Sequence, residues 1–344
     1  MAINSRTRRG LAALTALAAM SLSACGGVEV RDESGGGQDT PHDGPLDLAV
    51  VPKAVGHEFW STVQAGAECA AELDGDVTVN WDGVNAETDV EGQVNLLQNF
   101  VTQDVDGIVY AATDSAALAP ATQNALDSGI PVAMIDSGTD PQPDEVPLYA
   151  TDNRAGAAEA ANLLADALGE GDHDVALIEF QPGSQTNTER VEGFTEGLAA
   201  HENLNLVGQQ PSHSDVNEAR KVTEDILTAN PDLSGIFAAN EPSVLGAAQA
   251  VEAAGRSGEV VIIGWDAAPD EIAGLRDGQI AALVVQNPFR MGFFGVQNMV
   301  EHLREGTAME SADTGVTFVT PDNIDSEEVQ AVLEPSCDNP PVDQ

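Results

Sequence analysis

Apolar residues along this chain gather into short unbroken runs separated by longer amphipathic stretches. The runs are LDLAVV (46–51), VTVNW (77–81), GIVYAA (107–112), IPVAMID (130–136), DVALIEF (174–180), LNLVGQ (204–209), GIFAAN (235–240), VVIIGWD (260–266) and IAALVVQ (280–286). Continuous rather than alternating apolar character marks strands covered on both faces, as in parallel sheets. Between the runs, the spacing of apolar positions predicts helices at Phe59–Leu73, Val90–Gln103, Ser115–Ser128 and Arg154–Leu168, then at Thr188–His201, Val216–Ala229, Val244–Ala254 and Arg290–Glu305. Repeated βα units predict an α/β protein with right-handed crossovers. About ten strands overfill one sheet, which favours two sheets in two lobes. A closed βα barrel alternates in the same way and competes with that arrangement.

Length and charge narrow the picture. A chain of 344 residues with 42% apolar content can bury the cores of two domains. Thirteen basic residues face 57 acidic ones, for a net charge of −44. That surface repels nucleic acid and anionic membranes. The acids are scattered through periodic segments, so the charge does not signal disorder. Solubility in a salty habitat and compositional bias of the lineage both account for it.

The N-terminus reads as a targeting segment. Arg6, Arg8 and Arg9 precede an apolar stretch, Leu11–Met20, too short to span a bilayer. Leu22-Ser23-Ala24-Cys25 resembles the bacterial lipobox, which predicts a signal peptide over 1–24 and lipidation of Cys25. An ordinary secretory signal with a chance cysteine is the plainer alternative. Loss of residues 1–24 removes three arginines and no acids, taking the net charge from −44 to −47. Residues 25–45, rich in Gly, Asp and Ser, read as a flexible tether. Cys69 and Cys337 are then left as an even pair in an oxidising compartment, either bridged or as two free thiols.

The chain lacks the Gly-x-Gly-x-x-Gly and phosphate-loop motifs, and its histidines lack metal-ligand spacing, so no cofactor or metal is called for. What stands out is the chemistry at strand ends: Phe59 and Trp60 after the first strand, Asp136 after VAMI, Asn240 after IFAA, Trp265-Asp266 after VVIIG and Gln286 after ALVV. Aromatic rings that stack on C–H faces, with planar polar groups that pair with vicinal hydroxyls, form a sugar-binding inventory. Singly, each Asp or Asn also fits a helix cap or turn.

With EFW after the first strand, ID at 135–136, ATDN at 150–153, TERVEGF at 188–194, LTANPDLSGIFAANE at 227–241, VVIIGWDAAPD at 260–270 and ALVVQNPFRMG at 282–292, the chain resembles the periplasmic sugar-binding proteins of ABC importers, in their ribose-binding-like branch. The likeness runs from Leu46 to Val332. It implies the type I periplasmic binding protein fold: two doubly wound parallel-sheet lobes joined by a three-crossing hinge that bends on ligand. The crossings fall near Thr151-Asp152, Gln286-Asn287 and Gly315-Val316. The N-terminal lobe is then 46–151 plus 287–315, the C-terminal lobe 152–286 plus 316–333, with a tail at 334–344.

By the same resemblance, ring stacking falls to Phe59, Trp60 and Trp265, hydroxyl-binding carboxylates to Asp136 and Asp266, and amides to Asn240 and Gln286. Ribose-type ligand arginines fall on Ser137 and Thr188, with Arg190 in a neighbouring, structural position, and an aromatic position falls on Ser214 beside His213. Small polar positions become Lys53 and His57. An arginine fork and a lysine point charge are not interchangeable, so the ligand set departs from that of ribose binders. Lys53, one of only two lysines, is either a ligand contact or a surface lysine solvating the strand end. The implied function is a lipid-anchored, monomeric solute-binding protein that takes a monosaccharide or polyol, an acidic sugar included, to an ABC permease and ATPase. A sensory sugar receptor shares this binding chemistry. A secreted glycosidase working through Asp136 and Asp266 requires a defined carboxylate separation. A ligand-controlled DNA-binding regulator conflicts with the N-terminus and the charge.

Overall fold

The computed structural model describes residues 42–341, all within one compact unit. Residues 1–41, with the signal segment, Cys25 and most of the tether, lie outside the described residues. The chain begins β1 (Leu46–Val51), α1 (Glu58–Asp74), β2 (Val77–Trp81), α2 (Val90–Gln103), β3 (Gly107–Tyr110), α3 (Ser115–Asp127), β4 (Val132–Ile135) and β5 (Leu148–Ala150). It continues α4 (Asn153–Leu168), β6 (His173–Glu179), α5 (Gln185–Leu198), β7 (Leu204–Pro211), α6 (Val216–Ala229) and β8 (Leu233–Ala238). Then come α7 (Glu241–Ala253), β9 (Val261–Trp265), α8 (Pro269–Arg276) and β10 (Ala282–Gln286). The last elements are α9 (Pro288–Glu305), β11 (Ala312–Asp313), β12 (Val316–Val319) and α10 (Glu327–Leu333).

Two six-stranded sheets result, ordered β11-β5-β4-β3-β1-β2 and β12-β10-β9-β8-β6-β7. All pairings are parallel except β10 with β12. This is the two-lobed arrangement and not the barrel. The continuous apolar runs have a physical cause in β1. Leu46, Leu48 and Val50 enter the core on one face of their sheet, and Ala49 and Val51 enter the core on the other. The second sheet repeats this, with Ile236 and Ala238 on one face and Phe237 on the other.

The chain passes between sheets three times, from β5 to α4, from β10 to α9 and from β11 to β12. After the second passage α9 returns to the first lobe and packs on α1 at very close range. A Cβ on Gly66 would meet the Phe289 carbonyl oxygen at 2.0 Å, and one on Gly292 would meet that of Val63 at 1.9 Å. Glycine at both positions lets the helix backbones touch, which fixes the helix that carries Phe59 and Trp60.

Short elements escape the hydrophobic pattern. β11 has two residues, both exposed, and β5 has three. The tether expected to reach residue 45 ends sooner, because the His42 N–H bonds the Leu303 carbonyl at 2.9 Å and Arg304 donates to the carbonyls of His42 and Gly44 at 3.2 Å. Cys69 and Cys337 are joined in a disulfide, with Cα atoms 5.6 Å apart. Val329 of α10 packs in the second lobe, whereas Cys337 packs against the core of the first. The tail therefore strings a covalent strap between the lobes.

Candidate ligand-binding cleft

A chamber between the lobes is lined by groups from the strand ends of both. Lys53, His57, Phe59, Trp60, Glu87 and Asp136 come from the first lobe, and Phe180, Thr186, Arg190, Asn240, Glu241, Pro242, Asp266 and Gln286 from the second. Strand C-termini of parallel sheets point their loops one way, so two such sheets facing each other converge their polar residues on one crevice.

Asp136 and Asp266 occupy matching places. Each follows the third strand of its sheet, β4 or β9. Each has left-handed backbone, with φ of 58° and 84°, which aspartate tolerates better than most residues. Neither is the N-cap residue of a helix, although Asp266 Oδ2 accepts the N–H of Glu241, the first residue of α7. Asn240 both lines the chamber and caps α7: its Oδ1 accepts the Ser243 N–H at the start of α7, and its Nδ2 donates to Ser214 Oγ at 3.0 Å.

The two carboxylates are handled differently. Asp136 accepts an ion pair from Lys53 Nζ at 2.7 Å, and both side chains are buried. Lys53 also donates to Thr186 Oγ1 at 2.7 Å and Ser184 Oγ at 3.2 Å. An ammonium has three donors. All three are engaged here, two of them on the opposite lobe. Asp266 has no ion-pair partner within 4 Å among the described residues; it accepts from Gln286 Nε2 at 2.8 Å and the Glu241 N–H at 3.1 Å. Burial pushes its carboxyl up to about 6; Glu241 adds to the rise, and Arg190 and the Gln286 hydrogen bond oppose it. Behind it, burial and the Asp266 charge push the enclosed Glu271 carboxyl well above the usual carboxylate range.

Arg190 lies along the chamber wall, 2% exposed, over the rings of Trp265 (4.1 Å) and Phe180 (5.1 Å). It donates to Asn153 Oδ1 at 2.8 Å and the Ala239 carbonyl at 2.7 Å. Burial pulls its pKa down, against the opposing pull of Asp266, Asp136 and Glu87. Glu87 reaches across the lobes to accept from Ser214 Oγ at 2.7 Å. Phe59 and Trp60 meet edge to face, with ring centroids 4.8 Å apart. His57 is half-buried at the start of α1.

Three expected site residues stand elsewhere. Trp265 has no exposed surface and packs in the core with Ile263 and Phe237, because successive strand residues alternate faces. Thr188 is exposed on the outer groove, its hydroxyl bonded to the Ser184 carbonyl. Two positions along a helix lie about 200° apart, so Thr188 and Arg190 cannot both face the cleft. Ser137 is buried beside the chamber, its Oγ 3.5 Å from that of Ser184. Conversely, Glu87, Phe180, Thr186, Arg190 and Glu241 line the chamber without having been expected there. Phe180 carried a usable signal, an aromatic closing an apolar strand; Glu87 and Glu241 were two acids among 57.

Two lobes with parallel sheets, hinged by three passages and meeting over a polar, aromatic-walled chamber, define the bilobal solute-binding class. The periplasmic binding protein domain matches residues 48–308. A D-ribose/D-allose-binding protein of Pseudomonas aeruginosa is 32% identical over 283 residues, covering 79% of this chain and 88% of the relative. Among solved structures, an ABC transporter solute-binding protein from Agrobacterium vitis with bound D-fucose is 36% identical, with a TM-score of 0.80, covering 83% of this chain and 99% of that one. A carbohydrate transporter solute-binding protein from Agrobacterium radiobacter in complex with D-arabinose is 31% identical, with a TM-score of 0.81, covering 85% and 100%. The chain belongs to the periplasmic binding protein family. Its relatives are sugar-binding transport proteins and not enzymes.

Proposed function

We propose that this protein is an extracytoplasmic receptor, held to the membrane by a lipid on Cys25, that captures a monosaccharide or polyol and delivers it to an ABC permease and ATPase. The observation that carries this reading is the convergence of Asp136, Asn240, Asp266 and Gln286 with Phe59 and Trp60 on one interlobe chamber. Gln286 Oε1 is buried without a partner among the described residues, which suits it to accept a ligand hydroxyl. Asp136 and Asp266 take further hydroxyls from opposite lobes, and Phe59 and Trp60 cover the C–H face of the ring. Four carboxylates face two cations in the chamber, which argues for a neutral ligand over an acidic sugar. The sugars bound by the relatives fit the same chemistry.

A thermal-shift screen with D-ribose, D-allose, D-arabinose, D-fucose, xylitol and D-glucuronate tests this. A binding sugar at a hundredfold excess over its Kd stabilises by about 2.7 kcal/mol. A shift with at least one neutral sugar and none with glucuronate is expected; no shift with any neutral sugar overturns the reading. Cys25→Ser, followed by recovery of the protein in the medium instead of the membrane fraction, tests the anchor.

A further inference from the structure

We infer that Glu241 is a positioning residue for closure, a carboxylate on the second lobe that holds the cleft shut by capping the first helix of the other lobe. The inference rests on the reading of the chamber as a ligand site between lobes that open and close. Its starting point is a gap in α1. His57, at the N-cap, makes no side-chain cap bond, although the first turn of any helix leaves its N–H groups without intrahelical partners. Glu241 fills the gap from 183 residues away in sequence. Its Oε1 accepts the Glu58 N–H at 3.2 Å, and its Oε2 accepts the Phe59 N–H at 3.0 Å. A negative charge at a helix N-terminus is further favoured by the helix dipole. Glu241 is buried, 8% exposed, so the bonds are little diluted by water.

Glu241 is itself held on the ligand side. Asn240 before it caps α7, and the Glu241 N–H donates to Asp266 Oδ2 at 3.1 Å. Asp266 is in turn bonded to Gln286. One residue thus joins the second lobe's carboxylate to the first lobe's aromatic helix. Other polar bridges run between the lobes, from Lys53 to Thr186, from Ser214 to Glu87 and from Gly138 to Gln185. Only the Glu241 bridge, among these, lands on the helix bearing Phe59 and Trp60. Opening the cleft must separate Glu241 from α1, so the strength of this cap sets how readily bound ligand escapes.

Hydrogen exchange of the full chain, followed by mass spectrometry on peptides spanning 53–60, reads the cap directly and needs no sugar. In Glu241→Ala the amides at Glu58 and Phe59 are expected to exchange about tenfold faster or more, while core peptides from β1 and β4 stay as protected as in the wild type. Glu241→Gln, which keeps one accepting oxygen, is expected to fall between. Stopped-flow measurement with D-allose and D-ribose should show dissociation about tenfold faster in Glu241→Ala, with association changed by less than about threefold. Unchanged exchange at Glu58 and Phe59 in Glu241→Ala overturns the inference, as does unchanged sugar dissociation from a variant whose exchange has risen. If neither sugar binds the wild type, the ligand assignment for these sugars fails while the exchange result still decides Glu241. If core peptides of Glu241→Ala lose protection, the milder Glu241→Gln decides instead, by the same change in exchange at Glu58 and Phe59.

Discussion

Asp136 and Asp266 sit at corresponding corners of the two lobes, after the third strand of each sheet and in left-handed backbone. One is neutralised by a buried lysine at 2.7 Å. The other rests on an amide and a backbone N–H, and burial raises its carboxyl to about 6. The same fold position therefore supports two electrostatic solutions. In the first lobe the protein supplies the countercharge and uses it to reach across to Ser184 and Thr186. In the second lobe the Arg190 charge and hydrogen bonds from Gln286 and the Glu241 N–H favour the ionised form, against burial, with no ion-pair partner within 4 Å among the described residues.

The largest break in that comparison comes from Lys53→Met, which strands Asp136 as an unpaired buried charge. A loss of about 3–5 kcal/mol is expected in denaturant unfolding. Adding Asp136→Asn to the same chain should recover most of it. If Lys53→Met is neutral, the pair does not hold the first lobe's corner.

Asp266→Asn acts in the opposite direction. The carboxyl titrates at about 6 when folded and near 3.9 when unfolded, so the native state binds a proton more tightly than the unfolded chain. Its ionisation therefore costs stability as pH rises from about 4 to 6, by about 3 kcal/mol once complete. The variant should be more stable than wild type at pH 7 by about 1–3 kcal/mol, after the weakened hydrogen bonds are counted, with the advantage vanishing near pH 4. Sugar affinity in the wild type should fall as pH drops below about 6, approaching tenfold per unit, because the ligand needs the ionised acceptor. A pH-independent difference between variant and wild type contradicts this contrast.

Trp265→Phe tests what lies beneath Asp266. Trp265 fills the core and not the chamber wall. Stability should fall by about 1–2 kcal/mol from the lost volume, with sugar affinity within about threefold by calorimetry. A loss of binding with unchanged stability would return this ring to the site. Smallest of all, Thr188→Ala should change stability by less than about 0.5 kcal/mol and leave affinity untouched, whereas Arg190→Lys should weaken binding measurably, since an ammonium cannot reproduce its two directed bonds.

Much of this molecule was written in local pattern. The runs GIVYAA and IPVAMID contain β3 (GIVY) and β4 (VAMI), buried at every position, because a strand covered on both faces has no room for a charged residue. β11 and α10 left no such trace, since two exposed residues, or seven of which only Val329 is buried, create no apolar period. Within the cleft, chain order alone placed Phe59, Asp136, Asn240 and Gln286 at strand ends, and a parallel sheet turns that one-dimensional fact into a shared crevice. Chain order could not choose between Thr188 and Arg190, because the phase of α5 is decided by what it packs on. Nor could it seat Glu241 on α1 or spend all three donors of Lys53, since those bonds join residues far apart in the chain, 131 positions for Lys53 and Ser184 and 182 for Phe59 and Glu241. The sequence by itself thus determined the layers, the two lobes and the residue types offered to a ligand. Tertiary structure alone decided which of those groups face the ligand and which hold one another, because desolvation and hydrogen-bond reach exist only once the lobes meet.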